Sequence, residues 1–512
     1  MRSAALLVLV AALLGAVSAS SAAEEPALFR FPVDGQVESV RVADLNGDGR
    51  PDLVLLVETT NEEGHPAQHL VLLRTPATPK PGTFFTAEDA VRISLEAAPY
   101  DEAGALSVGR FGPGGSNLLR FYRRDGLFDV GPDGAPRIRE ARARIATLMG
   151  RSPGRRLVFW DEHADLDGDG IEECWFPADE GDGTVHVYGG TPAEDRALDL
   201  AVLNRAATDP EHLFIRYASI PRLVAADLDA DGRRELVTMR DDVLYAFADG
   251  APGPGAETPF AKITLPFTRD DLGADEIHTP RVQIADVDGD RRADALVTLV
   301  TGSRAQLGSF RTRLLHYPGP LFEGEDGQLG EHRARIDTES VALHPRFIDL
   351  NGDGALDYVI DAITGTKKDL FLRVLGQEPT IWHRAFLFEP DKGSFARLPY
   401  FSIERPYGRD EAVSNRFGIS AYFGGDFDGD GHKDLLDLGN LKGLEVLGAF
   451  VKADATGGET VASFRSRILP RQRFRDPIVA DAVVQDLNGD GLADAVVWDD
   501  AHLYIVMPRR TP

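Results

Sequence analysis

A nine-residue acidic pattern recurs along the chain and leaves few architectures open. Its first copy reads Asp44-Leu45-Asn46-Gly47-Asp48-Gly49-Arg50-Pro51-Asp52, and six more start at Asp165, Asp227, Asp286, Asp349, Asp426 and Asp486. The spacings after Asp165 are 62, 59, 63, 77 and 60 residues, whereas Asp44 and Asp165 are 121 residues apart, about two periods. Midway in that gap, Gly109-Arg110-Phe111-Gly112-Pro113-Gly114-Gly115-Ser116-Asn117-Leu118 keeps the glycines and the apolar run that follows, without any aspartate. It reads as an eighth copy that kept its turn and lost its metal. A fixed period of this length marks a repeat architecture, in which each unit buries its apolar surface against its neighbours.

Short apolar or alternating runs flank each copy, such as Val40-Arg41-Val42 before the first and Leu53-Val54-Leu55-Leu56-Val57 after it. Such runs about a glycine-rich loop predict strand–loop–strand. The unit at 227 predicts strands over 222–226, 235–239, 243–248 and 261–267, and four short strands per unit describe a propeller blade. After the last copy come two strands, 495–498 and 503–507, and residues 27–32 precede the first. The N-terminal strand is thus expected to complete the final blade and close the ring. The expected fold is all-β, a propeller of four-stranded blades. Eight blades follow if the degenerate copy is one, seven if it is not, and a linear solenoid is the weaker alternative.

Carboxylates at positions 1, 3, 5 and 9 of one short loop repel one another unless a cation lies between them. Glycines at positions 4 and 6 let the backbone fold back so that the oxygens converge. The carbonyl of position 7 can add a neutral oxygen. The candidate ligands are therefore Asp44, Asn46, Asp48, Arg50 and Asp52, then Asp165, Asp167, Asp169, Ile171 and Glu173, then Asp227, Asp229, Asp231, Arg233 and Glu235. They continue with Asp286, Asp288, Asp290, Arg292 and Asp294, then Asp349, Asn351, Asp353, Ala355 and Asp357. Asp426, Asp428, Asp430, His432 and Asp434 follow, and Asp486, Asn488, Asp490, Leu492 and Asp494 complete the series. Six or seven hard oxygens at flexible spacing suit Ca²⁺ better than Mg²⁺, and no His or Cys side-chain ligands favour zinc. An EF-hand would need Glu at position 12, which is instead Leu55, Phe176, Thr238, Val297, Ile360, Asp437 and Val497. The 286 copy carries Arg291 where glycine is usual and is expected to bind most weakly.

The formal net charge is −27, and the seven loops hold 25 carboxylates at positions 1, 3, 5 and 9. Seven calcium ions would leave −13, so the acidity is read as structural rather than as a sign of a cationic partner. A chain this acidic is repelled by phosphate backbones, which argues against nucleic acid. A single cysteine, Cys174, excludes an intrachain disulfide. Arg2, the apolar run from Ala4 to Val17 and the small residues up to Ala23 fit a secretory signal peptide spanning 1–23. The run is too short for a typical membrane span, and no cysteine follows it for a lipid anchor. A secreted or periplasmic protein without a membrane span, monomeric and engaging an unknown protein or glycan ligand, is expected.

These loops resemble the FG-GAP/VCBS repeats of calcium-binding propellers, including integrin α-subunit heads, and the likeness covers nearly all of the chain after residue 23. The resemblance implies a loop joining adjacent strands of a blade, with a structural calcium held at positions 1, 3, 5 and 9. The Phe-Gly and Gly-Ala-Pro signatures of integrin repeats are largely absent, which argues against integrin-like adhesion. The family also includes lectins and lyases. A binding scaffold without catalytic chemistry is the expectation, with a carbohydrate-binding lectin or a polysaccharide lyase-type enzyme as alternatives.

Three further features have plain readings. Cys174 falls at a strand position and is expected to be buried. His163, near Asp161 and Glu162, is expected to be a loop neighbour rather than a base. Ile138, Ala141, Ile145 and Leu148, within the basic stretch Arg137–Arg156, fall at helical spacing and predict an amphipathic helix, with an anionic-glycan dock as the sharper alternative. The long 349–426 interval holds an insertion whose aromatics, Trp382 to Phe388 and Phe401 to Tyr407, are expected to pack in strands.

Overall fold

The computed structural model describes residues 27–508, except turns of four residues or fewer and the stretches 96–102, 141–156, 178–183, 190–194, 200–205, 209–215, 249–257, 266–275, 323–328, 364–379, 407–420, 454–458 and 474–480. The expected signal peptide, most of the basic stretch and part of the 349–426 insertion lie outside the described residues.

The described residues form eight antiparallel blade sheets in sequence order, with two further two-stranded sheets, Ala206–Thr208 with Arg216–Ala218 and Phe388–Glu389 with Ser394–Phe395. Blade 1 is Gln36–Ala43, Asp52–Thr60, Pro66–Leu73 and Ala90–Ser94, and blade 2 is Ala103–Gly109, Leu118–Arg123, Gly126–Val130 and Pro136–Glu140. Blade 3 is His163–Ala164, Glu173–Pro177, Thr184–Tyr188 and Arg196–Asp199, and blade 4 is Leu223–Ala226, Glu235–Arg240, Val243–Phe247 and Ala261–Thr264. Blade 5 is Glu276–Ala285, Asp294–Ser303, Gln306–Tyr317 and Ala334–Thr338. In blade 6 the first strand is split into Val341–Ala342 and Arg346–Ile348, before Asp357–Ile363, Thr380–Phe386 and Phe401–Pro406. Blade 7 is Ala421–Gly425, Asp434–Asp437, Gly443–Ala453 and Glu459–Arg473. Blade 8 takes Val483–Gln485, Asp494–Trp498 and His502–Met507 from the end of the chain and Ala27–Pro32 from near its beginning. That strand pairs from Ala27 opposite Met507 to Pro32 opposite His502. The degenerate copy is therefore a blade, and the ring has eight.

The second strand of each blade explains why its sequence is apolar at successive positions. Along Asp52–Val57 every residue is buried. Alternate side chains point to opposite faces. Leu53, Leu55 and Val57 enter the core shared with blade 8, while Val54 and Leu56 enter the core shared with blade 2. Eight such cores occur among the described residues, one at each junction between successive blades, including the one that joins blade 8 to blade 1. A strand sandwiched between two neighbours has no solvent face, so it cannot show the hydrophobic–polar alternation of a half-buried strand.

The segment predicted as helix departs from expectation at its start. Pro136–Glu140 is the fourth strand of blade 2, paired with Gly126–Val130. An apolar residue at helical spacing loses to an available sheet edge, because tertiary pairing overrides a short periodic signal. Downstream, residues 157–160 run parallel to the first strand of blade 2, with Leu106 N–H donating to Val158 O and Trp160 N–H to Leu106 O.

Candidate metal centres on one rim

Each acidic loop links the first strand of a blade to the second, so antiparallel topology sets all seven on the same rim. Their internal hydrogen bonds repeat. Both oxygens of the position 1 aspartate accept backbone N–H groups from positions 4 and 6: Gly47 and Gly49 donate to Asp44 at 2.7 and 2.8 Å, and Gly168 and Gly170 to Asp165 at 2.8 and 3.0 Å. Position 3 accepts from the N–H of position 5, as Asp167 does from Asp169 at 3.1 Å. Position 5 accepts from that of position 7, as Asp169 does from Ile171 at 2.7 Å. The turn requires left-handed backbone at positions 4 and 6, which glycine supplies except at Ala230 (φ 67°) and Arg291 (φ 73°). Position 7 enters this geometry through its N–H, and its carbonyl remains an expected donor.

Position 9 has a role that the sequence reading missed. Asp52, Asp294, Asp357, Asp434 and Asp494 are nearly or fully inaccessible, and Glu173 and Glu235 are buried too. In all seven loops this carboxylate accepts the N–H of position 2, from 2.6 Å at Phe427 to 3.2 Å at Leu45. In three blades its other oxygen accepts an N–H just beyond the third strand: Thr75 to Asp52 at 2.8 Å, Gly319 to Asp294 at 2.7 Å and Phe388 to Asp357 at 2.8 Å. It clamps the loop onto the blade. Burial, opposed by these backbone donors, pushes Glu173, Glu235 and Asp357 up to about 7 and Asp494 up to about 8. Burial and then the neighbouring carboxylates also raise Asp288 and Asp428.

The carboxylates do converge. Oxygens of Asp165, Asp167 and Glu173 lie within 4.8 Å of one another, as do those of Asp227, Asp229 and Glu235, of Asp286, Asp288 and Asp290, and of Asp426, Asp428 and Asp434. Oxygens sharing a calcium ion at about 2.3–2.6 Å can be no more than about 5 Å apart, so these donor sets fit a hard divalent cation. In the 286 loop Asp294 stands outside the group and faces the buried His316, with Nε2 at 3.2 Å. The loops at 44, 349 and 486 carry Asn46, Asn351 and Asn488 at position 3. Asn351 and Asn488 donate an amide N–H to the position 5 carboxylate at 2.9 and 3.1 Å. In the first loop Arg50 pairs with Asp48.

Blade 2 fills the corresponding space with protein. Phe111 is buried and packs edge-on against His163, with the Arg120 guanidinium over its ring. Gly109 pairs with Leu118 as Ala43 pairs with Asp52, so Arg110 stands at position 1, and a Cβ at Gly109 would come within 2.5 Å of the Glu172 Oε2 and 2.8 Å of the Phe111 ring. Glu172 reaches over from blade 3 and accepts from Arg110 N–H at 3.1 Å, from its side chain at 3.2 Å, and pairs with His163 Nδ1 at 2.8 Å. Against the opposing effect of burial, His163 and Arg110 hold its carboxyl at about 2.

The remaining singled-out residues are structural in their contacts. Cys174 is fully buried with Arg120 Nη1 3.4 Å from its sulfur. Phe386, Phe388 and Phe401 are buried in inter-blade cores. One group escaped sequence reading: Arg346 donates to both oxygens of Asp361 at 2.9 and 3.1 Å, and His383 Nδ1 lies 2.6 Å from Asp361. The available signal was Asp361 itself, a charge at the place where other blades have Leu56, Met239, Leu438 or Trp498.

No protein-family model matches the chain, and no curated protein matches it. Among solved structures, BBS1N in complex with ARL6DN is 10% identical over 94% of this chain and 97% of that chain, with a TM-score of 0.37. The V. cholerae biofilm matrix protein Bap1 is 12% identical over 95% and 88% of the two chains, with a TM-score of 0.39. A streptogramin B lyase structure is 10% identical over 80% and 94%, with a TM-score of 0.28. These likenesses are distant, and the eight blades rest on the chain's own strand pairing.

Proposed function

We propose that this protein is an exported, calcium-binding propeller that serves as an interaction scaffold, with calcium in up to seven loops. The observation that carries the reading is the convergence of three carboxylates within 4.8 Å in four separate loops. Like charges gathered this closely favour a divalent cation as the neutralising partner. Positions 1 and 3 would hold the ion in all four of these loops, joined by position 5 at Asp290. Position 9 anchors the loop and completes the donor set at Glu173, Glu235 and Asp434. When bound, calcium supplies positive charge that relieves the repulsion and ties the loop to the second strand. A protein or glycan would dock on a ring stiffened in this way.

Calorimetric titration of the purified, chelator-treated protein with CaCl₂ tests the metal, with metal analysis of the product. Several bound calcium ions per chain, with a higher melting temperature, are expected. Failure to bind at millimolar calcium overturns the reading. Export is tested by N-terminal sequencing of the protein recovered outside the cytoplasm, which is expected to begin at Glu24.

A further inference from the structure

The loop rim is stitched from blade to blade by one recurring hydrogen bond. The N–H of position 8 donates to a carbonyl at position 1 or 2 of the preceding loop. Glu172 donates to Arg110 O at 2.9 Å, Arg234 to Leu166 O at 2.8 Å, and Ala293 to Asp227 O at 2.8 Å. Leu356 donates to Val287 O at 2.8 Å, Lys433 to Leu350 O at 3.0 Å, and Ala493 to Asp426 O at 2.8 Å. Between blades 1 and 2 the side-chain amide of Asn117 takes over and reaches Asp44 O at 2.9 Å. Seven junctions are joined in this manner. At the eighth, from blade 8 to blade 1, position 8 is Pro51, which has no N–H to give.

A second observation agrees. At four of the stitched junctions a glycine of the turn, at position 4 in three of them, lies close under the position 6 carbonyl of the next loop. A Cβ on Gly115 would stand 2.7 Å from Gly170 O, on Gly352 2.9 Å from Gly431 O, on Gly168 3.5 Å from Gly232 O and on Gly289 3.6 Å from Gly354 O. A Cβ on Gly489, the corresponding residue of blade 8, would meet nothing within 4 Å, as is also true of Gly47 at the junction that Asn117 stitches. Among the described residues no backbone hydrogen bond of this kind joins the loops of blades 8 and 1 at the rim. What joins these blades lies away from it. The strand Ala27–Pro32 pairs with His502–Met507, and Val33 N–H donates to Ala501 O at 2.9 Å. An apolar core including Trp498, Phe84 and Phe85 fills the body of the junction.

We propose that the junction between blades 8 and 1 is the ring's opening joint: it parts first at the loop rim, hinged on the N-terminal strand, while the other seven stay stitched. The inference follows from backbone geometry and Pro51, and it stands or falls separately from calcium binding.

Hydrogen-exchange mass spectrometry of the full chain tests it, in calcium and again in chelator, on wild type, Pro51→Ala and Asn117→Ala. In wild type the 486–492 loop should exchange faster than the loops at 227 and 349. Pro51→Ala restores an N–H at position 8 and should slow exchange at 486–492 by about fivefold, the effect of one net hydrogen bond. Asn117→Ala removes a stitch without touching the backbone and should speed exchange over 109–117 by about the same factor. Local exchange is the readout because losing a proline also changes the unfolded chain. Equal protection of all loops in wild type, or no change at 486–492 in a folded Pro51→Ala, overturns the proposal. If Pro51→Ala does not fold, an unchanged 109–117 in Asn117→Ala overturns it instead. Absence of calcium binding alongside the expected exchange pattern would sink the metal reading and leave the joint standing.

Discussion

Blades 2 and 3 sit side by side and turn the same corner with opposite chemistry. In blade 3 three carboxylates gather at the turn. In blade 2 the turn is made with Gly114 and Gly115 at positive φ, and Glu172, borrowed from blade 3, pairs with Arg110 and His163. The blade forms in both cases, and both loops are stitched to their neighbours. The carboxylates of positions 1, 3 and 5 are therefore not needed to build a blade. The difference teaches that charge which would cost stability on its own has been kept in seven loops and, in the one loop without it, replaced by an ion pair and an aromatic ring.

Chelation is the sharpest way to break this comparison. If the seven loops hold calcium, each site kept at a hundred times its Kd contributes about 2.7 kcal/mol, and stripping them should lower the melting temperature more than any single substitution. A thermal melt unaffected by chelator would make the acidic loops equivalent to that of blade 2. Next in size is Asp357→Ala, which leaves the N–H groups of Leu350 and Phe388 buried without their acceptor. It should cost about 3 kcal/mol in denaturant unfolding, with or without calcium, because the clamp acts on the backbone. Glu172→Gln tests the substitute in blade 2. Weakening the contacts to Arg110 and His163 should cost about 1.5 kcal/mol, and the loss should be the same in calcium and in chelator. The smallest effect is a gain. Arg291 holds a left-handed backbone at φ 73°, so Arg291→Gly should stabilise the chain by about 1 kcal/mol and tighten calcium binding in that loop.

The blades were legible in the sequence because the repeat fixes the register of each unit. The strands expected at 222–226, 235–239, 243–248 and 261–267 are found at Leu223–Ala226, Glu235–Arg240, Val243–Phe247 and Ala261–Thr264. The degenerate copy was recognisable from its glycines. What replaces its carboxylates was not, because Glu172 and His163 come from beyond a gap of more than 50 residues and meet Arg110 only after the blades pack. The clamping role of position 9 was not legible, since a carboxylate at the end of an acidic loop has the same letters whether or not it also accepts backbone amides. Its partners at Thr75, Gly319 and Phe388 lie 23 to 31 residues downstream and show no pattern of their own. Ile138 was misread as helical because a fourth strand, short and at an edge, leaves little periodic signature. Asp361 was passed over because an isolated aspartate among many carries no message until Arg346 and His383 are seen around it.

The pairing of Ala27–Pro32 with His502–Met507 has a consequence for biogenesis. During synthesis the first strand has no mate until residues 502–507 have emerged, and contacts so distant along the chain form slowly. Seven sheets can assemble in order during synthesis, but the circle is completed only by residues 502–507. A product truncated before His502 would retain an orphaned strand with Phe29 and Phe31 uncovered, a natural target for chaperones and proteases and a surface prone to aggregation.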